Sequence, residues 1–166
     1  SLTEIQEQIE KVRRLDVNKE INKVIKHWKK YVEDHDTLKL KPDGSDYMDK
    51  IIQIYKRTIL LMAILINERT GGITASVEVD EERDKSGRYA YCWPRDSVLV
   101  YKALDFIGFE NMSKKLYENF LRKTQEKNGM WEQRFYTDGR LAPCWGYQID
   151  ETATVVYGAY RHFLVM

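Results

Sequence analysis

The chain has 166 residues, which is enough for one domain or for part of a larger one, and 43% of them are hydrophobic, which suffices for a packed core. Its 27 basic and 26 acidic residues nearly cancel, so the charge offers nothing to attract nucleic acid or another polyanion. The apolar run Ile59–Ile66 is far shorter than the roughly 20 residues that span a bilayer, so we expect no membrane segment. The two cysteines, Cys92 and Cys144, provide neither a disulfide framework nor a metal-ligand set, and we expect no cofactor.

The first part of the chain predicts two helices. Leu2–Asp36 is charged, and its apolar residues recur every three or four positions, which is typical of an amphipathic surface helix. Turn residues follow at 42–44, and a second helix is expected from about Ser45, its N-cap, to Arg69. This second helix is apolar around most of its circumference, so we expect it to be buried among other elements. The pair Gly71-Gly72 ends it.

Three more helices are expected in the second part of the chain. Asp96 and Asp150 are good N-caps, so one helix should run from Asp96 to a stop at Gly108 and the last should open at Asp150. A further helix should lie between them, at about Asn111–Lys127. The residues expected on the apolar faces are Val98, Tyr101, Ala103, Leu104 and Phe106; Met112, Leu116, Tyr117, Phe120, Leu121 and Thr124; and Val155, Val156, Ala159, Tyr160 and Phe163.

The connections between successive helices alternate in length. They are long at about 70–95, short at 108–111 and long again at 128–149. If neighbouring helices pack antiparallel, alternate connections emerge at the same end. Both long connections are rich in aromatic residues and both lead into a helix N-terminus. We therefore expect the two long loops to meet at one face, beside Asp96 and Asp150, and to form a binding site there.

The stretch Tyr89–Ser97 carries the most distinctive chemistry. It reads Tyr-Ala-Tyr-Cys-Trp-Pro-Arg-Asp-Ser and combines three aromatic rings with a guanidinium and a carboxylate. A sugar presents apolar C–H faces and a rim of hydroxyls, so flat rings beside charged hydrogen-bonding groups suit it as a ligand. The alternative is a helix that follows a buried aromatic turn, with Arg95 and Asp96 as no more than an N-cap and a local ion pair.

Four motifs in order resemble the glucoamylase family, which is glycoside hydrolase family fifteen. They are Gly71-Gly-Ile-Thr-Ala-Ser76, the stretch Tyr89–Ser97, Gly129-Met-Trp-Glu-Gln-Arg-Phe-Tyr-Thr-Asp-Gly139 and Cys144-Trp-Gly-Tyr-Gln-Ile-Asp-Glu151. The resemblance covers roughly residue 45 to the C-terminus, and Pro94 is shared with bacterial members. Residues 2–36 resemble the helical linker that joins an N-terminal β-sandwich to the barrel in bacterial members.

The resemblance implies an all-α fold, in which a helical linker at 1–40 precedes the N-terminal third of an (α/α)6 barrel of antiparallel helix pairs at 41–166. Family members release glucose from the non-reducing ends of α-glucans and maltooligosaccharides with inversion, and they use one glutamate as acid and another as base. Both glutamates occupy family positions beyond Met166. We therefore expect no catalytic residue in this chain, and we expect the 166 residues alone to be inactive.

The same resemblance implies five substrate-binding residues. Arg95 and Asp96 correspond to the pair that hydrogen-bonds the outer hydroxyls of the terminal glucose, a task that suits a guanidinium donor beside a carboxylate acceptor. Tyr89 corresponds to the tyrosine beside the reacting carbon, and Trp93 corresponds to a ring of the pocket wall. Trp145 corresponds to the tryptophan on which the sugar path stacks.

Other residues of the two long loops are expected to have structural roles. We expect Trp131 to be a core anchor and Glu132 to be a solvated loop residue. Asp150 and Glu151 are expected to open a helix, as acids placed favourably against its dipole.

Two alternatives to an exo-acting hydrolase of α-glucans remain. One is a non-catalytic glucoamylase-like module that binds carbohydrate or regulates a larger protein. The other is a trehalase or glucodextranase on the same barrel, which would grip the same terminal glucose through Arg95 and Asp96.

Overall fold

The computed structural model describes residues 2–77, 89–144 and 146–166. Within these ranges the chain is helical and forms isolated β-bridges but no strand, which confirms the predicted all-α class. Two compact units are present, Ser1–Leu60 and Leu61–Met166. The division into a linker at 1–40 and part of a barrel at 41–166 stays a prediction. No helix among the described residues has the length and hydropathy needed to cross a bilayer.

Residues 2–35 form two helices rather than the single helix predicted, α1 (Leu2–Arg13) and α2 (Val17–His35). The break has a local cause, because Asp16 is extended and its carboxylate accepts a hydrogen bond from the Lys19 N–H at 3.1 Å. Such a side-chain cap starts a new helix. Neither helix has a buried residue, as expected for surface helices.

The third helix, α3 (Asp46–Leu65), begins where the sequence predicts and ends four residues earlier. The Ser45 hydroxyl accepts a hydrogen bond from the Met48 N–H at 3.2 Å, which confirms the predicted cap. The expectation that this helix is buried is wrong for this chain, because Ile59 is its one buried residue and apolar side chains such as Ile54 and Ile64 are exposed. An apolar circumference indicates that packing against other elements would stabilise a helix, but it does not establish that any element packs there.

The second part of the chain contains α4 (Pro94–Phe106), then α5 (Glu110–Lys115), a π-helical segment (Leu116–Leu121) and α6 (Arg122–Thr124) in one continuous run, and finally α7 (Ile149–Phe163). The helices are those predicted, but two of the predicted caps are wrong. The N-cap positions are Trp93 and Gln148, so Asp96 and Asp150 lie inside the first helical turn. Pro94 occupies the first helical position, where its fixed φ angle favours the start of a helix.

Helices α4 and α7 pack against each other through a face of α7 that differs from the one predicted. The buried residues of α7 are Glu151, Val155, Gly158 and His162. Most of the residues predicted on its apolar face are instead exposed: Val156, Ala159, Tyr160 and Phe163. The close approach depends on Gly158, because a Cβ there would collide with the Val98 side chain and would lie 2.7 Å from the Tyr117 hydroxyl. Phe106 and Ala103 on α4 are likewise exposed, contrary to prediction.

The two long loops meet beside the N-termini of α4 and α7, as the alternation of connection lengths predicts. Cys92 and Phe135 exchange backbone hydrogen bonds of 2.8 Å in an antiparallel bridge. The Thr70 hydroxyl donates a hydrogen bond to the Thr137 carbonyl at 2.5 Å. Within the first loop, the Ala75 N–H donates to the Tyr91 carbonyl at 2.9 Å. The loops are thus joined by main-chain bonds rather than by side-chain packing alone.

Candidate functional site

Arg95, in the first turn of α4, is the centre of a cluster of charged and polar groups. Its Nη1 atom lies 2.5 Å from Asp150 Oδ2, 3.4 Å from Gln148 Oε1 and 3.2 Å from Glu151 Oε1, all at the start of α7. Its Nη2 atom lies 3.3 Å from Asp96 Oδ2. The carboxylates hold the pKa of the guanidinium above its ordinary value even though burial opposes them, and Arg95 in turn lowers the pKa of Asp150.

Glu151 is the buried member of this cluster, and its side chain has no exposed surface. Its Oε2 atom accepts a hydrogen bond from the Arg95 backbone N–H at 2.7 Å. Burial raises the pKa of Glu151 to about 7, and the hydrogen bond and positive charge of Arg95 oppose that rise. The negative charges of Asp96 and Asp150 add to it.

Asp96 is a half-exposed acceptor beside Arg95, with 45% of its side chain accessible to solvent. It lies in the first turn of α4, where the helix dipole favours a negative charge. Since it is not the N-cap, its carboxylate is not committed to the backbone of the helix. It is therefore available to accept hydrogen bonds from a ligand.

An aromatic cluster lies beside these charged groups. The ring of Trp93 is centred 5.6 Å from that of Tyr89 and 6.2 Å from that of Tyr91, and Tyr91 is 5.4 Å from Tyr136. The guanidinium of Arg134 lies 5.2 Å from the Tyr91 ring centre and 5.6 Å from that of Trp93, which is within the range of a cation–π interaction. The rings and the Arg134 guanidinium therefore form one cluster built by both loops.

The structure brings four of the five predicted binding residues together and gives them different degrees of exposure. Tyr89 is 51% exposed and Trp93 is 7% exposed, so Tyr89 presents a ring to solvent while Trp93 supports it from below. Arg95 and Asp96 lie next to them at the start of α4. Trp145 lies outside the described residues.

Two expectations for neighbouring loop residues have different outcomes. Trp131 is buried and its Nε1–H donates a hydrogen bond to the Leu121 carbonyl at 2.8 Å, which confirms it as a core anchor. Glu132 is half-buried rather than solvated, and the Cys144 thiol lies 3.7 Å from its Oε2 atom. The Glu132–Tyr147 bridge explains the difference, because it draws this residue into the contact between the two ends of its loop.

Sequence reasoning did not identify Glu151 and Asp150 as partners of Arg95. A signal for Glu151 was present, because Glu151, Val155, Gly158 and His162 recur at intervals of four, three and four residues. That spacing places them on one helical face, and all four are buried. A carboxylate on a buried face requires a partner, and the loops had already been expected to bring Arg95 to the start of α7. Nothing in the sequence indicates the stacking of Arg134 on Tyr91 and Trp93.

This arrangement is suited to binding a polyhydroxylated ligand. It offers a guanidinium fixed on one side, a half-exposed carboxylate next to it and a solvent-facing aromatic ring. Within ranges 2–77, 89–144 and 146–166, no three His, Cys, Asp or Glu side chains are grouped so that they could hold a metal ion.

The raised pKa of Glu151 predicts that folding stability falls as the pH rises. Below about pH 4.5 the group is protonated in both states, whereas between about pH 4.5 and 7 the folded state binds more protons than the unfolded state. The contribution of Glu151 to the unfolding free energy that is lost across this interval is up to about 3 kcal/mol. We expect the unfolding free energy of the wild type, relative to Glu151→Gln, to fall by this amount between pH 4 and 8 in urea titrations.

The matched control for this titration is Glu118→Gln, because Glu118 is an exposed carboxylate 3.9 Å from Lys114. The difference in unfolding free energy between Glu118→Gln and the wild type should change little over the same pH range. A Glu151→Gln difference that is equally constant with pH would contradict the assignment of a buried, proton-binding carboxyl.

Comparisons with known proteins agree with the chemistry of this site. The family model described as "Glycosyl hydrolases family 15" matches residues 50–162, which is more than half of the chain. An uncharacterized glycosyl hydrolase of Methanocaldococcus jannaschii is 29% identical over 117 residues, which are 69% of this chain and 17% of that relative. No solved structure matches the chain. The family resemblance of the four sequence motifs is confirmed, and the chain belongs to glycosyl hydrolase family 15.

Proposed function

We propose that the protein to which this chain belongs is a glycoside hydrolase that releases glucose, with inversion, from the non-reducing ends of α-glucans and maltooligosaccharides. In this proposal the present chain supplies the groups that hold the terminal sugar. One observation carries it: Arg95 is held at 2.5 Å by Asp150 while the half-exposed carboxylate of Asp96 lies 3.3 Å from its other terminal nitrogen.

The chemistry of the pair fits adjacent sugar hydroxyls. An ionised carboxylate accepts hydrogen bonds from hydroxyl groups, and a guanidinium donates several in a fixed plane. The contacts of Nη1 with α7 hold one edge of the guanidinium, which limits the conformational entropy lost when the other edge binds a ligand. We assign the outer hydroxyls of the terminal glucose to Arg95 and Asp96.

The aromatic residues provide the apolar part of the proposed pocket. Tyr89 is half-exposed and would lie beside the reacting carbon, with Trp93 beneath it as a buried support. For Trp145 we propose stacking against the sugar path, which rests on the family resemblance alone. Arg134 stiffens the cluster by stacking on Tyr91 and Trp93.

The catalytic acid and base are proposed to lie outside this chain. Inversion requires two carboxyl groups roughly 6.5–9.5 Å apart, with room between them for the sugar and a water. Glu151 is fully buried and Asp150 is paired with Arg95, so neither is free for that task.

The proposed function is tested with the protein expressed at its full natural length. Purified protein is incubated with maltotriose, isomaltose and trehalose, and the products are followed by proton NMR. We expect β-glucose to appear first from maltotriose, because inversion of an α-linkage produces the β-anomer. The 166-residue chain alone should release no glucose, since we place both catalytic carboxyls outside it.

The other outcomes identify the alternatives. Faster release from trehalose or isomaltose than from maltotriose would indicate a trehalase or a glucodextranase. Saturable binding of maltotriose without product would indicate a non-catalytic carbohydrate-binding module. Absence of both binding and hydrolysis, or release of glucose by the 166-residue chain alone, would contradict the proposal.

A further inference from the structure

We infer that Glu151 is a positioning residue that fixes the backbone and the guanidinium of Arg95 for sugar binding, an inference that rests on the role proposed for Arg95. Glu151 comes from α7 and Arg95 from α4, so this single carboxylate joins the first turns of the two helices.

Helix α4 has no cap of its own. The first N–H groups of any helix lack partners within the helix, and a side chain at the N-cap position usually accepts from the second or third of them. In α4 the N-cap residue is Trp93, which makes no such bond, and Pro94 has no N–H to donate. The Arg95 N–H is therefore the first backbone donor of the helix, and Glu151 Oε2 accepts from it at 2.7 Å. Glu151 acts as the missing cap from another helix.

The second oxygen of Glu151 reaches the side chain of the same arginine. Glu151 Oε1 lies 3.2 Å from Arg95 Nη1 as an ion pair, and this atom has no hydrogen-bond partner among the described residues. One carboxylate thus contacts both ends of Arg95. This arrangement restricts the backbone and the side-chain torsions together, which a contact with the guanidinium alone would not do.

Burial separates the role of Glu151 from that of Asp150. The side chain of Asp150 is 58% exposed, and an exposed ion pair contributes little because water screens it. Glu151 has no exposed surface, so it touches neither solvent nor a bound sugar and acts only through Arg95. Because little water is available to screen it, the charge of Glu151 interacts strongly with Arg95.

The charge state of Glu151 provides a readout that a purely steric support would lack. The groups that face its carboxyl are Arg95 and Asp96 on α4, Asp150 on α7 and the buried Cys92 thiol that precedes α4. Burial raises the pKa of Glu151 to about 7, so the carboxyl ionises as the pH rises through neutrality. Ionisation strengthens the bond to the Arg95 N–H. Sugar affinity should therefore increase from pH 6 to pH 8 in the wild type and should be flat in Glu151→Gln.

The experiment measures the affinity of the full-length protein for maltose by calorimetry, together with KM, kcat and Tm. Glu151→Gln preserves the shape of the side chain and removes its charge, and we expect maltose to bind about tenfold more weakly with Tm maintained at pH 7. The comparator Asp150→Asn removes the exposed charge from the same guanidinium and should weaken binding by less than about threefold. KM should change more than kcat in both variants, because the acid and base are untouched.

Coupling to Arg95 distinguishes positioning from general support. In a double-mutant cycle, Arg95→Lys and Glu151→Gln should be strongly non-additive, because removal of the guanidinium leaves Glu151 without the side chain that it positions. Additive effects on maltose affinity, or a Glu151→Gln variant with wild-type affinity and a flat pH profile, would overturn the inference. If Glu151→Gln does not fold, Glu151→Asp replaces it in the cycle, since it keeps the charge and shortens the reach.

A separate measurement tests the contact between Glu151 and Arg95 independently of the proposed function. In ¹⁵N-labelled protein, the Arg95 amide resonance should shift with pH through neutrality, and this titration should be absent in Glu151→Gln. If the wild type neither binds nor hydrolyses α-glucosides, the proposed function fails while this titration still reports the contact. An Arg95 amide that does not titrate would overturn the positioning role, whichever ligand the site binds.

Discussion

Asp96→Ala in the full-length protein should lower kcat/KM for maltose about 10²–10³-fold, corresponding to about 2–4 kcal/mol of transition-state stabilisation. A carboxylate that grips two sugar hydroxyls makes charge-assisted bonds worth about 1.5–3 kcal/mol each. The substitution leaves those hydroxyls without their acceptor and removes one of the carboxylates that contact Arg95. If the bonds tighten as the sugar ring flattens toward the transition state, the loss should appear largely in kcat.

The thermal stability of Asp96→Ala should change little, by within about 1 kcal/mol. Asp96 is not the N-cap of α4, and its contact with Arg95 is a half-exposed pair at 3.3 Å. If the variant has a lower Tm than the wild type but a kcat/KM near the wild-type value, Asp96 does not bind the substrate. That result would contradict most of the proposed function. Asp34→Ala is the matched control, because Asp34 is also exposed and paired with Lys30, on α2. Both its activity and its Tm should resemble the wild type.

Gly71→Ala should destabilise the fold by about 2–5 kcal/mol. Gly71 has φ +79°, a conformation that costs an L-residue about 1–2 kcal/mol. A Cβ there would also collide with the backbone of Leu116, with Leu116 Cα at 2.8 Å and Lys115 C at 2.8 Å. Backbone atoms at the start of the π-helical segment have little freedom to move, so we add about 1–3 kcal/mol for overpacking.

Gly129→Ala provides the control for the conformational part of that effect. Gly129 has φ +84° but no atom within 4 Å of a Cβ at its position. It should therefore lose only about 1–2 kcal/mol, as expected for the left-handed conformation alone. Urea titration of both variants measures the difference directly. Equal losses would show that the approach of Gly71 to the π-helical segment is unimportant for stability.

The architecture near the site was largely predictable, because it depends on local signals. Periodic apolar residues and glycine stops identify α4, the run from Glu110 to Thr124 and α7 to within a few residues. The alternation of loop lengths brought both aromatic loops to the N-termini of α4 and α7, and the bridge between Cys92 and Phe135 confirms that meeting. The predicted N-caps, Asp96 and Asp150, were wrong. Helix α4 begins two residues before Asp96, at Pro94, and α7 begins one residue before Asp150, at Ile149.

The buried face of α7 could not be predicted from apolarity alone. The sequence presents a second and more apolar face at Val156, Tyr160 and Phe163, and it is exposed. The chosen face carries Gly158, which lets α4 approach at Val98, and His162, whose Nδ1 lies 3.0 Å from Asp105 Oδ2. The close fit at Gly158 and the buried polar pair thus determined which face of α7 packs against α4. Hydrophobic periodicity alone would have predicted that the opposite face is buried.

The sequence by itself determined the helical class, the family and the residue types that could hold a sugar, because these follow from local patterns and four short motifs. Only the tertiary structure decided how those residues are supported. Arg95 and Glu151 are 56 residues apart, and no local pattern indicates that one carboxylate binds both the backbone and the guanidinium of the other residue. Such pairing arises when two helices pack, since a buried charge must then find its partner on the facing element.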